Sequence, residues 1–345
     1  MPWPPDDCLR LTTIDAHTGG EPLRIVTGGW PAIPGTTMLD KRAFARAYHD
    51  HLRRALMWEP RGHADMYGCI PTDPVTDDGH AGVLFLHNEG FSTMCGHGVI
   101  ALVTVGLDAG WLRSSSLPDG RALVRLDTPA GRVTATAERG PRGVMSVAFE
   151  NVPSFVAVRD LGIEVPDLGR LRCDIAFGGA YYAYVETGDL GFPLDLVPSS
   201  LGAIIELGRL VKRVVSEHVP LVHPDGAGDL GFLYGTILVQ PLDGWPRVSR
   251  NVCVFADGEV DRSPTGTGVS GRVAIHHARG ELAVGERLVV ESLVGSRFEG
   301  RLVRTTNAGV MPAVVPEVQG SASLTGRHEF VIDPEDPFKD GFLLR

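Results

Sequence analysis

Cys95-Gly96-His97-Gly98-Val99-Ile100-Ala101-Leu102-Val103 returns 170 residues later as Thr265-Gly266-Thr267-Gly268-Val269-Ser270-Gly271-Arg272-Val273, with Gly, Gly, Val and Val at matching offsets. Self-similarity at a fixed period marks duplicated structure. Each copy follows an apolar run, Val83 to Leu86 and Val252 to Phe255, and a glutamate stands six residues upstream of each, Glu89 and Glu259. The period is close to half of the 345 residues. At roughly 150 residues per domain the length alone suggests two units. The repeat makes them related halves, each presenting a strand, a glycine-rich turn and the start of a helix.

Outward from the repeat, short β-branched runs bounded by Gly, Pro, Asn and Asp dominate. Leu23 to Val26, Val83 to His87, Val144 to Phe149, Val156 to Val158, Tyr181 to Val185 and Val252 to Phe255 read as strands. Lys41 to Leu56 carries Phe44, Tyr48, Leu52 and Leu56 at four-residue steps and predicts a helix; Leu194 to Val219 predicts one or two more. The fold class is α+β. A composition break at Glu150-Asn151-Val152-Pro153 marks a plausible boundary between the halves.

Composition narrows the function classes. Apolar residues make up 43% and charged residues 21%, the balance of a globular protein rather than a disordered tail or membrane span. The net charge of −10 argues against nucleic acid or another polyanion as partner. Only Lys41, Lys212 and Lys339 could form a pyridoxal-phosphate Schiff base. Cys8, Cys69, Cys95, Cys173 and Cys253 are odd in number and contain no C-x-x-C pair, which fits a reducing cytoplasm better than a disulfide framework. Residues 1–7 show no targeting signal, and no apolar run approaches the roughly 18 residues of a membrane helix. The 43 glycines, far above the usual share, lack a Gly-X-Y period, so they serve turns and close backbone approaches.

A G-x-G turn opening a helix presents backbone N–H groups at the positive end of the helix dipole, which makes an anion cradle. Neither copy is a phosphate loop or a dinucleotide fingerprint, so a carboxylate is the better guess. Gly96, His97, Gly266 and Thr267 would supply the donors. Cys95 stands at the N-cap position, where a helix terminus lowers a thiol pKa toward neutrality, and is the candidate base or nucleophile. Cys69, Cys173 and Cys253 read as buried and inert. His97 could donate to a bound carboxylate or amine, or be structural. Asp261 could accept from an ammonium group or merely cap its turn. His17 to Glu21 and His63 to Asp65 could be paired as metal ligands, but no H-E-x-x-H is present, and His276-His277 reads as a solvated helix face.

Met94-Cys95-Gly96-His97-Gly98 and Asp261-Arg262-Ser263-Pro264-Thr265-Gly266-Thr267-Gly268 resemble signature segments of the proline racemase family. So do Asp15-Ala16-His17-Thr18-Gly19-Gly20-Glu21-Pro22, Glu59-Pro60-Arg61-Gly62-His63 and Asp340-Gly341-Phe342-Leu343-Leu344. The resemblance implies a cofactor-independent amino-acid enzyme of the diaminopimelate-epimerase-like fold, with two pseudo-symmetric halves, each with strands wrapped around a central helix, and the site between them. The expected division is 1–150 with Cys95, completed by the tail 334–345, and 151–333 with Asp261 and Thr265. Racemases and epimerases of the family carry a second cysteine where this chain has Thr265. An aliphatic hydroxyl is too weakly acidic to replace it as a base. Members with Thr there are trans-3-hydroxy-L-proline dehydratases, and Asp229 to Thr236 is similar to that branch.

The resemblance therefore implies dehydration of a hydroxylated proline. Cys95 would be the proton acceptor, the leaving-group proton would come from the same thiol or from His97, which could instead contact the amine, and Gly96, His97, Asp261, Gly266 and Thr267 would be the substrate-binding set. It implies no cofactor and no metal, and as partner a small-molecule substrate, with room for a homodimer and none for nucleic acid or membrane. Tyr67, Phe232 and Tyr234 are the expected ring-pocket residues. Hydroxyproline epimerase or proline racemase, and a non-enzymatic amino-acid binding protein, are the alternatives.

Overall fold

The computed structural model describes residues 4–226 and 228–344; residues 1–3, on which the reading of the amino terminus partly rests, lie outside it. Two helices of thirteen residues, Gly96–Asp108 and Gly266–Ala278, occupy the centres of the two units. Every residue from Gly96 to Leu107 is buried, as is every residue from Gly266 to His276. A helix buried on all sides has no solvent face and must be enclosed by other elements. Strands do this in both halves. Around the first helix lie Leu9–Thr18, Glu21–Gly28, Tyr67–Thr72, Gly131–Gly140, Gly143–Glu150 and Ala322–Ile332; around the second lie Phe155–Val165, Gly169–Phe177 and Arg297–Ala308, and Met311–Gly320 touches both. The architecture is α+β and strand-rich, as the sequence predicts.

The duplication is visible in element order. Ala81–His87, the short strand Phe91–Ser92 and the first central helix are matched by Val248–Phe255, the short strand Glu259–Asp261 and the second central helix. All six short runs read as strands from the sequence fall within strands. The expected helix over 41–56 is two, Met38–Tyr48 and Asp50–Met57. His49 leaves helical torsions (φ −124°, ψ 12°) and caps the first helix while opening the second. The bend leaves Tyr48 exposed and keeps Leu52 and Leu56 buried, so the apolar stripe is not one continuous face. The stretch 194–219 resolves into a short 3-10 turn, Pro198–Ser200, followed by Leu201–His218.

Between the halves the chain passes through Asn151, which is buried rather than in an exposed linker. Its Nδ2 donates to the Gly178 carbonyl (2.7 Å) and Ser270 Oγ (2.8 Å). Strand Met311–Gly320 pairs with Gly143–Glu150, and Ala322–Ile332 runs antiparallel along Leu9–Thr18. The tail follows: Phe342 N donates to the Glu59 carbonyl (2.8 Å), and Arg61 pairs with Asp336 at 3.2 Å. We propose the division at Asn151 with the tail 334–345 completing the first unit, and the pairing of Ala322–Ile332 with Leu9–Thr18 moves the start of that completion from the expected 334 back to 322. Among the described residues no helix is long and apolar enough to cross a membrane.

Candidate active site

Gly96 and Gly266, the first residues of the two central helices, meet backbone to backbone. A Cβ on Gly96 would stand 2.5 Å from Gly266 Cα, and one on Gly266 would stand 2.7 Å from Gly96 Cα. No side chain fits there, which is why both copies of the repeat hold glycine. The contact brings the two helix N-termini, each with backbone N–H groups that have no partner within their helix, to one place.

Cys95 and Thr265 are the two N-cap residues, but they cap differently. Cys95 is extended (φ −147°), and its Sγ accepts from Gly98 N at 3.3 Å. Thr265 has φ +64° and makes no side-chain cap; its N–H donates to Ser263 Oγ at 3.1 Å, and its buried hydroxyl has no hydrogen-bond partner. Positive φ at a β-branched residue is strained, and such strain concentrates at functional sites.

The two caps face a small cavity of ≈ 20 Å³ lined also by Glu21, Tyr67, His97, Tyr234, Cys253, Phe255, Asp261 and Thr267. That holds about one water, since a water needs at least 10–15 Å³. A pyrrolidine carboxylate needs several times more, so ligand access requires the walls to part. Wider hollows elsewhere, such as the ≈ 680 Å³ groove between Trp30 and Trp111, hold no comparable convergence of thiol, imidazole and carboxylate.

His97 Nδ1 lies 3.2 Å from Cys95 Sγ. Asp261 spends Oδ1 on the Ser263 N–H (2.7 Å), so its turn role is real, and it lines the cavity as well. Glu21 is wholly buried; Oε2 accepts from Arg262 N at 2.7 Å, while Oε1 has no partner. Burial pushes the Glu21 carboxyl well up, and the nearby Asp261 charge adds to this against the pull of Arg262. Two carboxylates beside one small cavity favour a cationic ligand group, such as the ammonium of an amino acid.

The thiol corrects one expectation. Burial pushes the Cys95 pKa well above the ordinary thiol value, outweighing the Gly98 hydrogen bond that lowers it, while Asp261 and Glu21 raise it further. The helix terminus acts in the expected direction and loses to desolvation. A cationic ligand beside Asp261 would reverse the two carboxylate contributions. The thiolate absorbance of ligand-free protein, taken as wild type minus Cys95→Ala, should therefore still be rising above about pH 8.5, the unperturbed thiol value. A plateau reached below neutrality would mean that the helix terminus prevails.

Of the residues singled out from sequence, Cys95, Gly96, His97, Asp261, Thr265, Gly266 and Thr267 all line this one cavity, as do Tyr67 and Tyr234. Phe232 does not. It is 41% exposed, with its ring centroid 6.4 Å from that of Tyr234. Four lining residues carry no role in the sequence reading: Met94 and Phe255, as well as Glu21 and Cys253. Glu21 carries no role within its motif, and Cys253, read as inert, lies at the cavity with Thr265, its thiol pushed well up by burial and by the Asp261 charge. Cys253 is paired in register with Asp261, a proximity that only the strand pairing reveals. His276 is not on a solvated face; it is buried, bonded to Arg272 at 2.6 Å and to Glu281 at 2.6 Å. Its neighbour Arg272 cannot be left inside without partners.

Residues 13–343 match the proline racemase family. The chain is 45% identical to a trans-3-hydroxy-L-proline dehydratase of Colwellia psychrerythraea, over 99% of this chain and 96% of that one. It is 46% identical to a 3-hydroxyproline 2-epimerase of Burkholderia multivorans, over 97% and 98%. A crystal structure of a hydroxyproline epimerase from Agrobacterium vitis with bound trans-4-hydroxy-L-proline superimposes with a TM-score of 0.89 at 30% identity, covering 100% of this chain and 97% of that one. With the duplicated central helices and their apposed N-termini, these likenesses leave one conclusion: the chain belongs to the proline racemase family.

Proposed function

We propose that the chain is a hydro-lyase that dehydrates trans-3-hydroxy-L-proline. The observation that carries this reading is the asymmetry of the two caps, a thiol at Cys95 facing an unionisable hydroxyl at Thr265. In trans-3-hydroxy-L-proline the Cα hydrogen and the hydroxyl leave from one ring face. One base on that face suffices, whereas inversion at Cα needs a base on each.

Binding would place the substrate carboxylate on the N–H groups of Gly96, His97, Gly266 and Thr267, and its ammonium toward Asp261 and Glu21. Cys95 then takes the Cα proton. A positioned base contributes about 10²- to 10⁴-fold, and each preorganised donor at developing charge about 3–4 kcal/mol, so the two helix termini are asked for more than the thiol. The carbanionic electron pair forms the Cα–Cβ double bond, the hydroxyl departs, and the enamine tautomerises to pyrroline-2-carboxylate. Five free cysteines support a reducing cytoplasm as its location, and a homodimer as its assembly is part of the same proposal.

The test is NMR product analysis with trans-3-hydroxy-L-proline, its cis isomer and trans-4-hydroxy-L-proline. Only the first should give pyrroline; efficient elimination from the cis isomer would break the syn argument. Cys253 at the cavity with Thr265 favours epimerisation, since it puts a second thiol there. Turnover in D2O separates the two readings: an epimerase returns Cα-deuterated, inverted hydroxyproline, and a dehydratase returns pyrroline.

A further inference from the structure

A syn elimination needs an acid for the leaving hydroxyl as well as a base for Cα. His97 is poorly suited to be that acid. Burial lowers its pKa, which favours the neutral imidazole, and both ring nitrogens lie by the Cys95 sulfur, Nδ1 at 3.2 Å and Nε2 at 3.7 Å. His97 is thus a neighbour of the thiol rather than a ready source of a proton.

We propose that Tyr67 is a catalytic residue that donates the proton to the departing 3-hydroxyl, from the same side of the cavity as Cys95. The inference rests on the dehydratase reading above. Tyr67 opens strand Tyr67–Thr72, is 3% exposed, and packs its ring edge-on against His97 with centroids 4.8 Å apart. Its hydroxyl bonds to Ser92 Oγ and lies 3.2 Å from the Tyr234 hydroxyl. Tyr67 lines the same cavity as Cys95, and the imidazole it packs against touches the Cys95 sulfur, Nδ1 to Sγ 3.2 Å. Base and acid are therefore neighbours on one wall, the arrangement that removal of H and OH from one ring face requires.

Burial keeps the Tyr67 phenol protonated until hydroxide begins to form beside it. The step balances within the site. The Cα–H electron pair becomes the Cα–Cβ double bond as its proton passes to the Cys95 thiolate; the C3–O bond breaks with its pair to oxygen; and that oxygen takes the Tyr67 proton and leaves as water. The Cys95 thiol then returns its proton to the Tyr67 phenolate through the water just formed in the cavity, restoring both groups. Ser92 and Tyr234 hold the phenolate in the interval. The reset needs no external proton.

The experiment compares Tyr67→Phe with wild type on two substrates, trans-3-hydroxy-L-proline and trans-3-chloro-L-proline, following pyrroline by NMR. Chloride leaves without a proton. The variant should lose about a hundredfold in kcat on the hydroxylated substrate, the scale of a lost general acid, and stay within about threefold of wild type on the chlorinated one. Equal losses on both would make Tyr67 a structural residue and overturn the proposal, as would an undiminished rate on the hydroxylated substrate. A wild type that forms no pyrroline from trans-3-hydroxy-L-proline would instead strike the dehydratase reading. Should Tyr67→Phe not fold, 3-fluorotyrosine placed at position 67 keeps the ring and makes its phenol more acidic. The high-pH loss of dehydration should then move to lower pH, and an unmoved profile would overturn the proposal.

Discussion

Cys95→Ala is expected to lower pyrroline formation by about 10⁴-fold, the upper end for a positioned base, because no neighbouring group can replace it on the same face. Burial lowers the His97 pKa, and its Nδ1 is turned to the Cys95 sulfur at 3.2 Å. Cys253 stands on the Thr265 side, and burial holds its thiol strongly protonated. The structural cost is modest: the variant loses the Gly98 N–H to Sγ cap, about 1 kcal/mol, and a small buried side chain. Thermal melts should therefore move by a few degrees while activity disappears. Cys95→Ser should be nearly as inactive, since a hydroxyl can take the cap but not the charge. Dehydration retained within tenfold of wild type would falsify the assignment of Cys95 as the base.

The repeat was legible because the contact it encodes tolerates nothing but glycine. Gly96 and Gly266 hold helix starts that touch, and any side chain there would collide with backbone, so the pattern is visible in both copies. Strands such as Ala81–His87, buried at all seven positions, were legible for the related reason that continuous apolar runs of that length have few other uses. What escaped was set by tertiary context. The stripe from Phe44 to Leu56 runs through His49 with helical spacing intact, and only the torsion at His49 shows that it is broken.

The site divides along the same line. Motif residues that sit on the turns were found, while Cys253 was passed over because its place at the cavity comes from pairing with Asp261 on the neighbouring strand. The direction of the Cys95 shift was misjudged for the same cause. A helix terminus can be read from local sequence; enclosure by the opposite half, with Asp261 and Glu21 beside the sulfur, cannot. Tyr67 and Tyr234 were recognisable as candidates, but not the hydrogen bond between them, which spans 167 residues of chain.

Gly266→Ala tests whether the meeting of the helices is itself catalytic equipment. In an isolated helix alanine is favoured over glycine by up to about 1 kcal/mol, so propensity alone predicts a more stable protein. Here the new Cβ would lie 2.7 Å from Gly96 Cα, 3.2 Å from Gly96 C and 3.3 Å from Phe149 Cζ. Two of these are backbone atoms, and Phe149 is fully buried, so none can turn aside. Overpacking of this kind costs about 1–3 kcal/mol, enough to outweigh the propensity gain. The larger effect is kinetic. Relieving the clash must separate the two helix starts, and a displacement approaching 1 Å between groups that hold one carboxylate costs on the order of 10²-fold. We expect kcat/KM to fall by at least about 10²-fold with only a small loss of thermal stability. Gly96→Ala should behave alike, its Cβ meeting Gly266 Cα at 2.5 Å. Gly188→Ala is the control, because nothing lies within 4 Å of a Cβ there. If Gly266→Ala matched that control in activity, the two helix termini would not be gripping a common ligand, and the carboxylate would have to be held elsewhere.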